Sequence, residues 1–452
     1  MLSSMAIQNF KTWESVTVNF GKVTGLFGTN SSGKTSLIQF ILLLKQTKEA
    51  TDRSTILDLN ASQVQLGSYR DVVHNHDESE EIRWELSFVT DPPLAIVDPS
   101  RQRTRPFIKS DQIRVSGAVG NSPSGIVSRG LSYTLGERQT FSLMPKKNDP
   151  NSFDLKAAGS DFRFIRTPGR AWQIAGPLRG YAFPDQARTY FQNASFLSDL
   201  EVRYERQVDA VYYLGPLREY PKRDYTWARS RPRDVGVRGE KAIDAILSAT
   251  LANEMRNLKK KARLKSFQEM IAYWLTEMGL IYDFGVRELA KGSNYWQAFV
   301  TIREGGTEAL LTDVGFGISQ ILPVVTLLYY VPEGSTVILE QPEIHLHPLA
   351  QSNLADLIIA VAENRGIQVI FESHSEHLLM RLQRRVAEGE IESSEIGLYF
   401  ADADRNKSKL QDLSLDNLGQ IRNWPKDFMG DAFGETVAAE RARLKRLKKG
   451  EE

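Results

Sequence analysis

The sequence predicts an α/β fold in which a mixed, mainly parallel core sheet carries an antiparallel β subdomain and a small helical subdomain. Three observations lead to this prediction. A glycine-rich loop lies between an apolar strand and an apolar helix near the start of the chain, and alternating strands follow from about residue 80. After residue 315, apolar strands that end in polar residues alternate with helices, which is typical of a parallel sheet.

The composition is that of a globular chain of 452 residues, of which 41% are hydrophobic, enough to bury a sizeable core. Its 57 Lys and Arg residues nearly match its 56 Asp and Glu residues, so the overall charge does not indicate nucleic-acid binding. The absence of cysteine excludes disulfides and thiolate metal sites. Because the N-terminus has no basic segment and no apolar run reaches the length of a membrane span, we expect a cytoplasmic protein that needs no membrane.

The glycine-rich loop over residues 28–36 is a complete G-x-x-x-x-G-K-[ST] phosphate-binding pattern. Residues 22–27 predict a buried strand and residues 37–44 predict a helix, so the loop lies at a helix N-terminus, where phosphate binds. In such a loop Lys34 reaches the β- and γ-phosphates, and the Thr35 hydroxyl binds Mg²⁺. The predicted nucleotide ligands of the loop are Gly28, Asn30, Ser32, Gly33, Lys34, Thr35 and Ser36.

The chain is predicted to divide into four segments. Residues 1–90 form the N-terminal part of the nucleotide-binding unit, and residues 91–215 continue a meander of strands. Residues 216–300 are expected to form a helical, locally basic subdomain, because the apolar spacing becomes helical between residues 240 and 280. Residues 301–452 form the C-terminal part of the nucleotide-binding unit. No stretch shows the sustained heptads that a long coiled coil requires.

Two apolar strands in the last segment end in polar residues. Residues 335–339 are followed by Glu340, and an apolar run that ends in an acid is how P-loop ATPases deliver a carboxylate to the Mg²⁺ shell. We therefore predict Glu340 as a metal ligand. The second strand, residues 368–372, leads to His374. Before both strands, a glycine-rich turn over residues 314–320 leads into an apolar helix and provides a second N-terminus that can bind anions.

The order of these motifs resembles that of the ABC-type ATPases, in particular the SMC-like and OLD-like AAA proteins of prokaryotes. The resemblance covers roughly residues 1–90 and 205–400. It extends to a subgroup that carries Leu-Glu-Gln-Pro-Glu-Ile-His-Leu-His-Pro at 339–348, Glu-Ser-His-Ser-Glu-His-Leu at 372–378 and Asn-Trp-Pro-Lys-Asp-Phe at 423–428. Members of this subgroup resemble the ATPase subunits of antiphage defence systems of the PARIS or Septu type.

The resemblance implies ATP and Mg²⁺ as cofactors and gives roles to further residues. His347 would belong to the D-loop region, His374 would be the switch histidine, and the adenine would lie against residues 9–13. A variant signature motif would consist of Gly317, Ser319 and Gln320. In the family, the signature motif of one head faces the phosphate loop of a second head, so these three residues would bind the partner's ATP.

The resemblance also implies partners. Two heads enclose two ATP molecules in the family, which predicts an ATP-bound homodimer and allows a higher homo-oligomer. Such a dimer would act as the sensor or regulator of a separate, nuclease-like effector protein in antiphage defence. The alternative is a DNA-binding ATPase of recombination and repair that resembles the RecF type, which also has ABC heads without long arms.

The end of the first apolar strand departs from the family pattern. The usual Asp-Glu pair is replaced by Glu340-Gln341, so an amide occupies the position of the general base. An amide can orient a water molecule but cannot accept its proton, and general acid–base assistance contributes roughly 10²–10⁴-fold to a rate. We therefore expect ATP binding, whereas hydrolysis is expected to be slow or to depend on Glu343 or His374 as a substitute base.

Basic and aromatic residues are interleaved over residues 216–239, where DNA or RNA contacts and a protein interface are equally compatible with the pattern. The basic runs at 259–265 and 441–449 are typical of solvated helix faces.

The six histidines occur in close pairs. His345 and His347, together with Glu343 and His374, offer the ligand types of a transition-metal site. Their places at strand ends beside a nucleotide favour contacts with phosphate and water instead. The pair at residues 74–76 is expected in a solvated loop.

Overall fold

A computed structural model describes residues 1–97, 106–159, 162–169, 173–258, 263–404, 407–425 and 441–443. The strands are β1 (Leu2–Phe10), β2 (Trp13–Asn19), β3 (Val23–Gly28), β4 (Ile82–Ile96), β5 (Ile108–Ser122), β6 (Gly125–Leu135), β7 (Gln139–Lys146), β8 (Asp149–Ala158), β9 (Val211–Leu214), β10 (Tyr225–Thr226), β11 (Met255–Arg256), β12 (Lys265–Ser266), β13 (Asp283–Glu288), β14 (Tyr295–Thr301), β15 (Glu308–Leu310), β16 (Thr336–Glu340), β17 (Gln368–Glu372), β18 (Ile396–Asp404) and β19 (Lys407–Asp412). The helices are α1 (Lys34–Glu49), α2 (Tyr69–Val72), α3 (Asp185–Tyr190), α4 (Leu197–Asp209), α5 (Ala242–Leu251), α6 (Phe267–Glu277), α7 (Phe316–Tyr330), α8 (Pro348–Arg365) and α9 (Glu376–Ala387).

A six-stranded sheet in the order β19-β18-β3-β17-β16-β9 forms the centre of the molecule. All neighbours from β18 to β9 run parallel, and β19 is antiparallel at one edge. Every residue of β16 and of β17 is buried, as expected for strands covered on both faces. The order places β17 between β3, which leads into the phosphate loop, and β16, which ends at Glu340. This sheet confirms the predicted fold class.

The second large sheet is antiparallel and has seven strands in the order β2-β1-β4-β5-β6-β7-β8. The predicted meander of strands reaches residue 158, but α3 and α4 follow it where strands were expected. Leu197, Leu200, Tyr204 and Val208 form the buried face of α4. Their spacing of three or four residues is helical, so this part of the prediction was wrong because the period was misjudged.

The segment over residues 216–300 contains α5 and α6, as the helical spacing predicts. A capping box begins α6, in which the Ser266 hydroxyl accepts from the Glu269 N–H at 3.3 Å and the Glu269 carboxylate accepts from the Ser266 N–H at 2.7 Å. Beside these helices, β14 pairs with β10, β13 and β15 in a small antiparallel sheet. The helical subdomain therefore includes a sheet that the sequence reading indicated only at β14.

Two hydrophobic cores lie on opposite faces of the parallel sheet. Val337 and Leu339 of β16 belong to the core with α5 to α9, whereas Ile338 belongs to the core with α1 and the antiparallel sheet. The alternation follows from the period of two in a strand. The phosphate loop therefore lies where β3 turns into a helix that packs in the core shared by both sheets.

The described helices are short compared with a coiled-coil arm. The longest of them, α8, has 18 residues. Within the same described residues, none of the helices is both long and apolar enough to cross a bilayer.

Candidate functional site

The phosphate loop turns tightly from β3 into α1. Gly28 and Gly33 have φ angles of 139° and 92°, and Ser31 has 61°, in a region that glycine adopts most easily. A Cβ at Gly28 would lie 2.0 Å from the Ala401 carbonyl oxygen of the neighbouring strand, so only glycine fits there. No side chain of the described residues caps the α1 N-terminus, which leaves its first backbone N–H groups for an anion.

Lys34 is almost completely buried, with 3% of its side chain exposed. Its ammonium donates to the carbonyl oxygens of Gly28 at 3.1 Å and Thr29 at 2.7 Å, and it lies 3.9 Å from the Glu372 carboxylate. Burial lowers the pKa of Lys34, and the attraction of Glu372 opposes that shift. These contacts hold the ammonium against the loop, where phosphates bind.

Glu372, the last residue of β17, is a site residue that the sequence reading missed. Its Oε2 accepts a hydrogen bond of 2.8 Å from the Thr35 hydroxyl, the group predicted to bind Mg²⁺. Burial raises the pKa of Glu372, while the Thr35 hydrogen bond and the Lys34 charge act in the opposite direction. The signal was present in the sequence, because an acid that ends an apolar strand is the same pattern that pointed to Glu340.

Among the remaining loop residues, Ser32 offers a free polar group to a ligand. The Ser32 hydroxyl is buried and has no hydrogen-bond partner among the described residues, which is expected where a ligand supplies the partner. Asn30 is exposed at the tip of the loop. The Ser36 N–H donates to the Gly33 carbonyl at 3.1 Å and so belongs to the first helical turn. At Thr35 the hydroxyl and the adjacent carboxylate are the oxygen ligands that Mg²⁺ prefers.

Glu340 is the last residue of β16, and its side chain is hydrogen-bonded from β9, on the side of β16 away from β17. Its Oε1 accepts a hydrogen bond of 2.8 Å from the Tyr213 hydroxyl on β9. Burial raises the pKa of Glu340 to about 7, and the nearby Glu372 carboxylate adds to the shift. Across the described residues, no hydrogen bond or ion pair links Glu340 to the phosphate loop. Its role as a metal ligand stays a prediction.

A buried arginine fixes the turn after β16. Gln341 has a positive φ of 44°, a strained conformation for a residue with a side chain. The Arg218 guanidinium donates to the carbonyl oxygens of Glu340 at 3.0 Å and Gln341 at 3.3 Å, while the Gln341 N–H donates to the Glu372 carbonyl at 2.8 Å. Arg218 lies in the basic segment considered for nucleic-acid contacts, but at 4% exposure it is unavailable for them.

Glu343 and His374 meet at the end of β17. The Glu343 Oε1 accepts from the Ser373 hydroxyl at 2.7 Å and from the His374 N–H at 2.8 Å, and its Oε2 has no partner in the described part of the chain. Burial raises the pKa of Glu343. Partial burial, together with the charge on Lys34, lowers the pKa of His374, so its imidazole is neutral at pH 7 and able to accept a proton.

The second glycine-rich helix start, at α7, is open. Gly315 has an ordinary φ of −56°, and a Cβ there would meet no atom of the described residues within 4 Å. A Cβ at Gly317 would lie 2.9 Å from the His345 carbonyl oxygen, so this helix start touches the turn that follows β16. The Ser319 hydroxyl donates to a carbonyl oxygen of its own helix at 2.8 Å, and the Gln320 amide nitrogen is buried without a partner among the described residues.

The histidine pairs do not assemble into a metal site in the structure. Within the described ranges, no group of three or more His, Cys, Asp and Glu side chains is arranged to bind a metal ion. His347 instead caps α8, with Nδ1 accepting from the Leu349 N–H at 3.5 Å. His74 differs from the expected solvated loop, because its ring is buried and its Nδ1 lies 2.7 Å from the Lys11 carbonyl oxygen.

A cleft of about 1460 Å³ is lined by the turn between β1 and β2 and by the β18–β19 hairpin. Thr12 lines it, and a Cβ at Gly33 would lie 2.8 Å from the Thr12 hydroxyl, so the cleft borders the phosphate loop. The Trp13 indole N–H donates to the Gly33 carbonyl at 3.1 Å and fixes this turn against the loop. The family resemblance places the adenine along residues 9–13, and that placement stays a prediction.

The basic segment over residues 216–239 is engaged within the chain. Its ion pairs are Arg223–Asp313, Arg229–Glu288, Arg231–Glu254 and Arg233–Glu49. Trp227 is buried, and its indole N–H donates to the Ser230 carbonyl at 2.9 Å, so it is not available for base stacking. These contacts offset the positive charge that would attract phosphate. The basic runs at 259–265 and 441–449 lie partly outside the described residues.

The loop, the buried lysine and the neighbouring strand ends define a P-loop ATPase. A family model described as "AAA domain, putative AbiEii toxin, Type IV TA system" matches residues 23–381, and the chain belongs to this family. A second model, "Protein of unknown function (DUF3696)", matches residues 391–438, which include the β18–β19 hairpin. The comparison with curated proteins found no match.

Solved structures that match the chain include heads of SMC proteins. The "SMC head domain from Thermotoga maritima" is 10% identical, with 91% of this chain and 99% of that chain covered and a TM-score of 0.43. The SmcHead bound to the C-winged helix domain of ScpA is 11% identical, with coverages of 92% and 98% and a TM-score of 0.43. The Smc head domain with an extended coiled coil bound to the C-terminal domain of ScpA, derived from Pyrococcus furiosus, is 11% identical, with coverages of 92% and 96% and a TM-score of 0.41. At these identities and TM-scores, family membership follows from the family model alone.

Proposed function

We propose that this protein is an ATP-dependent switch in which two copies pair across bound nucleotide. The observation that carries the proposal is the difference between two helix N-termini. At α1, Lys34 and Thr35 complete a phosphate site within one chain. At α7, Gly315 and Phe316 are exposed, and among the described residues no atom lies within 4 Å of a Cβ placed on Gly315. A second copy that presents its nucleotide would complete the site at α7.

The charges around the phosphate loop favour a magnesium complex of ATP. Three buried carboxylates, Glu340, Glu343 and Glu372, are near two buried cations, Lys34 and Arg218. Burial raises the pKa of each of these carboxyl groups, and a divalent cation beside them would stabilise their charged forms. The role of Mg²⁺ there would be to neutralise charge on the β- and γ-phosphates. The Thr35 hydroxyl and a carboxylate near it would hold the ion.

Hydrolysis in the proposed switch is slow, because Gln341 cannot accept a proton. Glu343 is bound by the Ser373 hydroxyl and the His374 N–H, which suits it to position the backbone that carries His374. The neutral His374 imidazole is then the better substitute base of the two. Slow turnover suits a switch, since the nucleotide-bound form would persist long enough to control a partner.

More specifically, we propose that the switch regulates a separate, nuclease-like effector in antiphage defence, and that it does so in the cytoplasm. The switch would act as an ATP-bound homodimer or as a higher homo-oligomer built from such dimers. The family description, which names a toxin of a type IV toxin–antitoxin system, supports a function in a system of more than one component.

Light scattering of the purified protein with and without ATP and Mg²⁺ tests the pairing. We expect the mass to double with ATP and to stay that of one chain without nucleotide. A protein that binds ATP but stays monomeric at high concentration would contradict the pairing and leave the nucleotide site intact. For the finer role, purification from the native operon should recover a nuclease-like partner. ATP-stimulated binding of the isolated protein to DNA junctions would favour the RecF-like alternative instead.

A further inference from the structure

Two carboxylates end neighbouring strands at the same level of the parallel sheet. Glu340 of β16 is in register with Glu372 of β17, and each is 5% exposed. The phosphate loop follows β3, which pairs with β17, whereas β16 is one strand further away. Because neighbouring strands lie about 4.8 Å apart, the Glu372 backbone is about 5 Å from β3 and the Glu340 backbone is about 10 Å away.

Glu372 contacts both loop side chains that the phosphate-binding motif requires. One carboxylate oxygen accepts the Thr35 hydroxyl hydrogen bond at 2.8 Å, and the other lies 3.9 Å from the Lys34 ammonium. The Glu372 backbone takes part as well, because its carbonyl accepts from the Gln341 N–H at 2.8 Å. One residue therefore links the loop to the turn that carries the position of the general base.

Glu340 is oriented by a different strand. The Tyr213 hydroxyl of β9 donates to it at 2.8 Å, from the side opposite β17 in the strand order. Its main-chain carbonyl is bound by Arg218 at 3.0 Å. Within the described residues, the Glu340 side chain is hydrogen-bonded to Tyr213, outside the phosphate loop. The Glu372 side chain instead contacts Lys34 and Thr35 of the loop.

We propose that Glu372 is the acidic residue of the magnesium site, in place of the acid at the end of β16. The assignment rests on the proposed function, since it requires a nucleotide–magnesium complex at the loop. A hydroxyl that donates its proton to a carboxylate keeps its oxygen lone pairs for a metal ion. Glu372 thus orients the Thr35 oxygen toward Mg²⁺ and supplies negative charge beside it, as Mg²⁺ sites with one or two carboxylates do.

Matched amide substitutions of the two in-register acids test the assignment. Glu372→Gln and Glu340→Gln remove one charge each from equivalent places on neighbouring strands and preserve side-chain size. The readouts are ATP affinity by calorimetry in EDTA and electron paramagnetic resonance of Mn²⁺ bound together with ATP. We expect Glu372→Gln to bind ATP in EDTA at least as well as the wild type, and to lose roughly 10- to 100-fold in Mn²⁺ affinity. Glu340→Gln should retain most of that affinity.

Each other outcome is decisive. Wild-type Mn²⁺ affinity in Glu372→Gln, or a larger loss in Glu340→Gln, would overturn the assignment while ATP binding still supported the proposed function. A wild-type protein that binds no ATP would overturn both. Thermal unfolding without nucleotide verifies that each variant is folded. If Glu372→Gln does not fold, Glu372→Asp keeps the charge and withdraws it by one methylene, and unchanged Mn²⁺ affinity in that variant would equally reject the assignment.

Discussion

The N-termini of α1 and α7 have similar sequences but differ in backbone conformation and in the contacts around them. Each is a glycine-rich turn followed by an apolar helix, and neither has a side-chain cap from the described residues. At α1, Gly33 adopts a φ of 92° and packs against Thr12 and Trp13. At α7, Gly315 adopts a φ of −56° with open space around it, and Phe316 is exposed.

A helix N-terminus therefore needs side chains from other parts of the chain before it can form a phosphate site. Long-range contacts supply those parts at α1, where β17 brings Glu372 to Thr35. At α7 the turn after β16 approaches the helix N-terminus, with the His345 carbonyl close to Gly317. That turn also carries Gln341, whose N–H donates to the Glu372 carbonyl, so the turn connects the N-terminus of α7 to the strand end beside the phosphate loop.

The largest effect is expected at this turn, from Gln341→Glu. A carboxylate at that position can accept the proton of the attacking water, so the ATPase rate should rise by roughly 10²–10⁴-fold if the missing base limits turnover. Glutamate replaces glutamine without a change of shape, so the strained φ of 44° is not disturbed further. Phosphate release measures the rate. Gln341→Asn is the control, since it keeps an amide and should stay slow, whereas an unaltered rate in Gln341→Glu would assign catalysis to another base.

A second large effect, on ATP affinity, is expected from Lys34→Ala in the phosphate loop at the N-terminus of α1. Hydrogen bonds to charged groups contribute about 1.5–3 kcal/mol each. Loss of the contacts to two phosphates should therefore weaken ATP binding by about 100-fold or more. Calorimetry with ATP checks this. Lys48→Ala is the matched control on the same helix, because Lys48 pairs with Asp209 at the other end of α1 and should leave affinity unchanged. Equal ATP affinity in Lys34→Ala and the wild type would show that this loop does not bind the ATP phosphates.

The phosphate loop and the N-terminus of α1 were largely predictable, because the sequence pattern that identifies them is local. The loop motif and the apolar runs on either side identified β3 and α1, and the ligand roles of residues 28–36 stay a prediction. The strand ends at Glu340 and Glu372 were equally visible, but only the strand order shows that β17 lies beside β3. The Arg218 contact with the Glu340 carbonyl joins residues 122 positions apart, and no local pattern indicates it. At the site, the roles of Glu372 and Arg218 were missed because they depend on long-range contacts, whereas α3 and α4 were missed because a local period was misjudged.

At the open start, Gly315→Asp should weaken ATP-dependent pairing roughly tenfold, about 1.4 kcal/mol. The new charge would face the partner's phosphates, while the space around Gly315 accepts a side chain without a clash. Gly315→Asn is the neutral control, since Asp and Asn are similarly good helix N-caps and affect the single chain alike. Sedimentation with ATP and Mg²⁺ measures the pairing. Equal pairing in the two variants would mean that no phosphate approaches α7.

The smallest effect is expected from Ser319→Ala, three residues into α7. The Ser319 hydroxyl donates to the Phe316 carbonyl within its own helix, so its loss should change the free energy of unfolding by no more than about 1 kcal/mol. If the hydroxyl turns to the partner's phosphate on pairing, one hydrogen bond of about 0.5–1.5 kcal/mol is lost, and pairing weakens by about 2- to 13-fold. Thr326→Ala is the matched control, because Thr326 makes the same kind of bond, to the Leu322 carbonyl at 2.7 Å, further along the helix. A pairing loss in Ser319→Ala that Thr326→Ala does not show would assign the hydroxyl to the partner's nucleotide. Equal pairing in both would exclude the Ser319 hydroxyl as a ligand of the partner's phosphate.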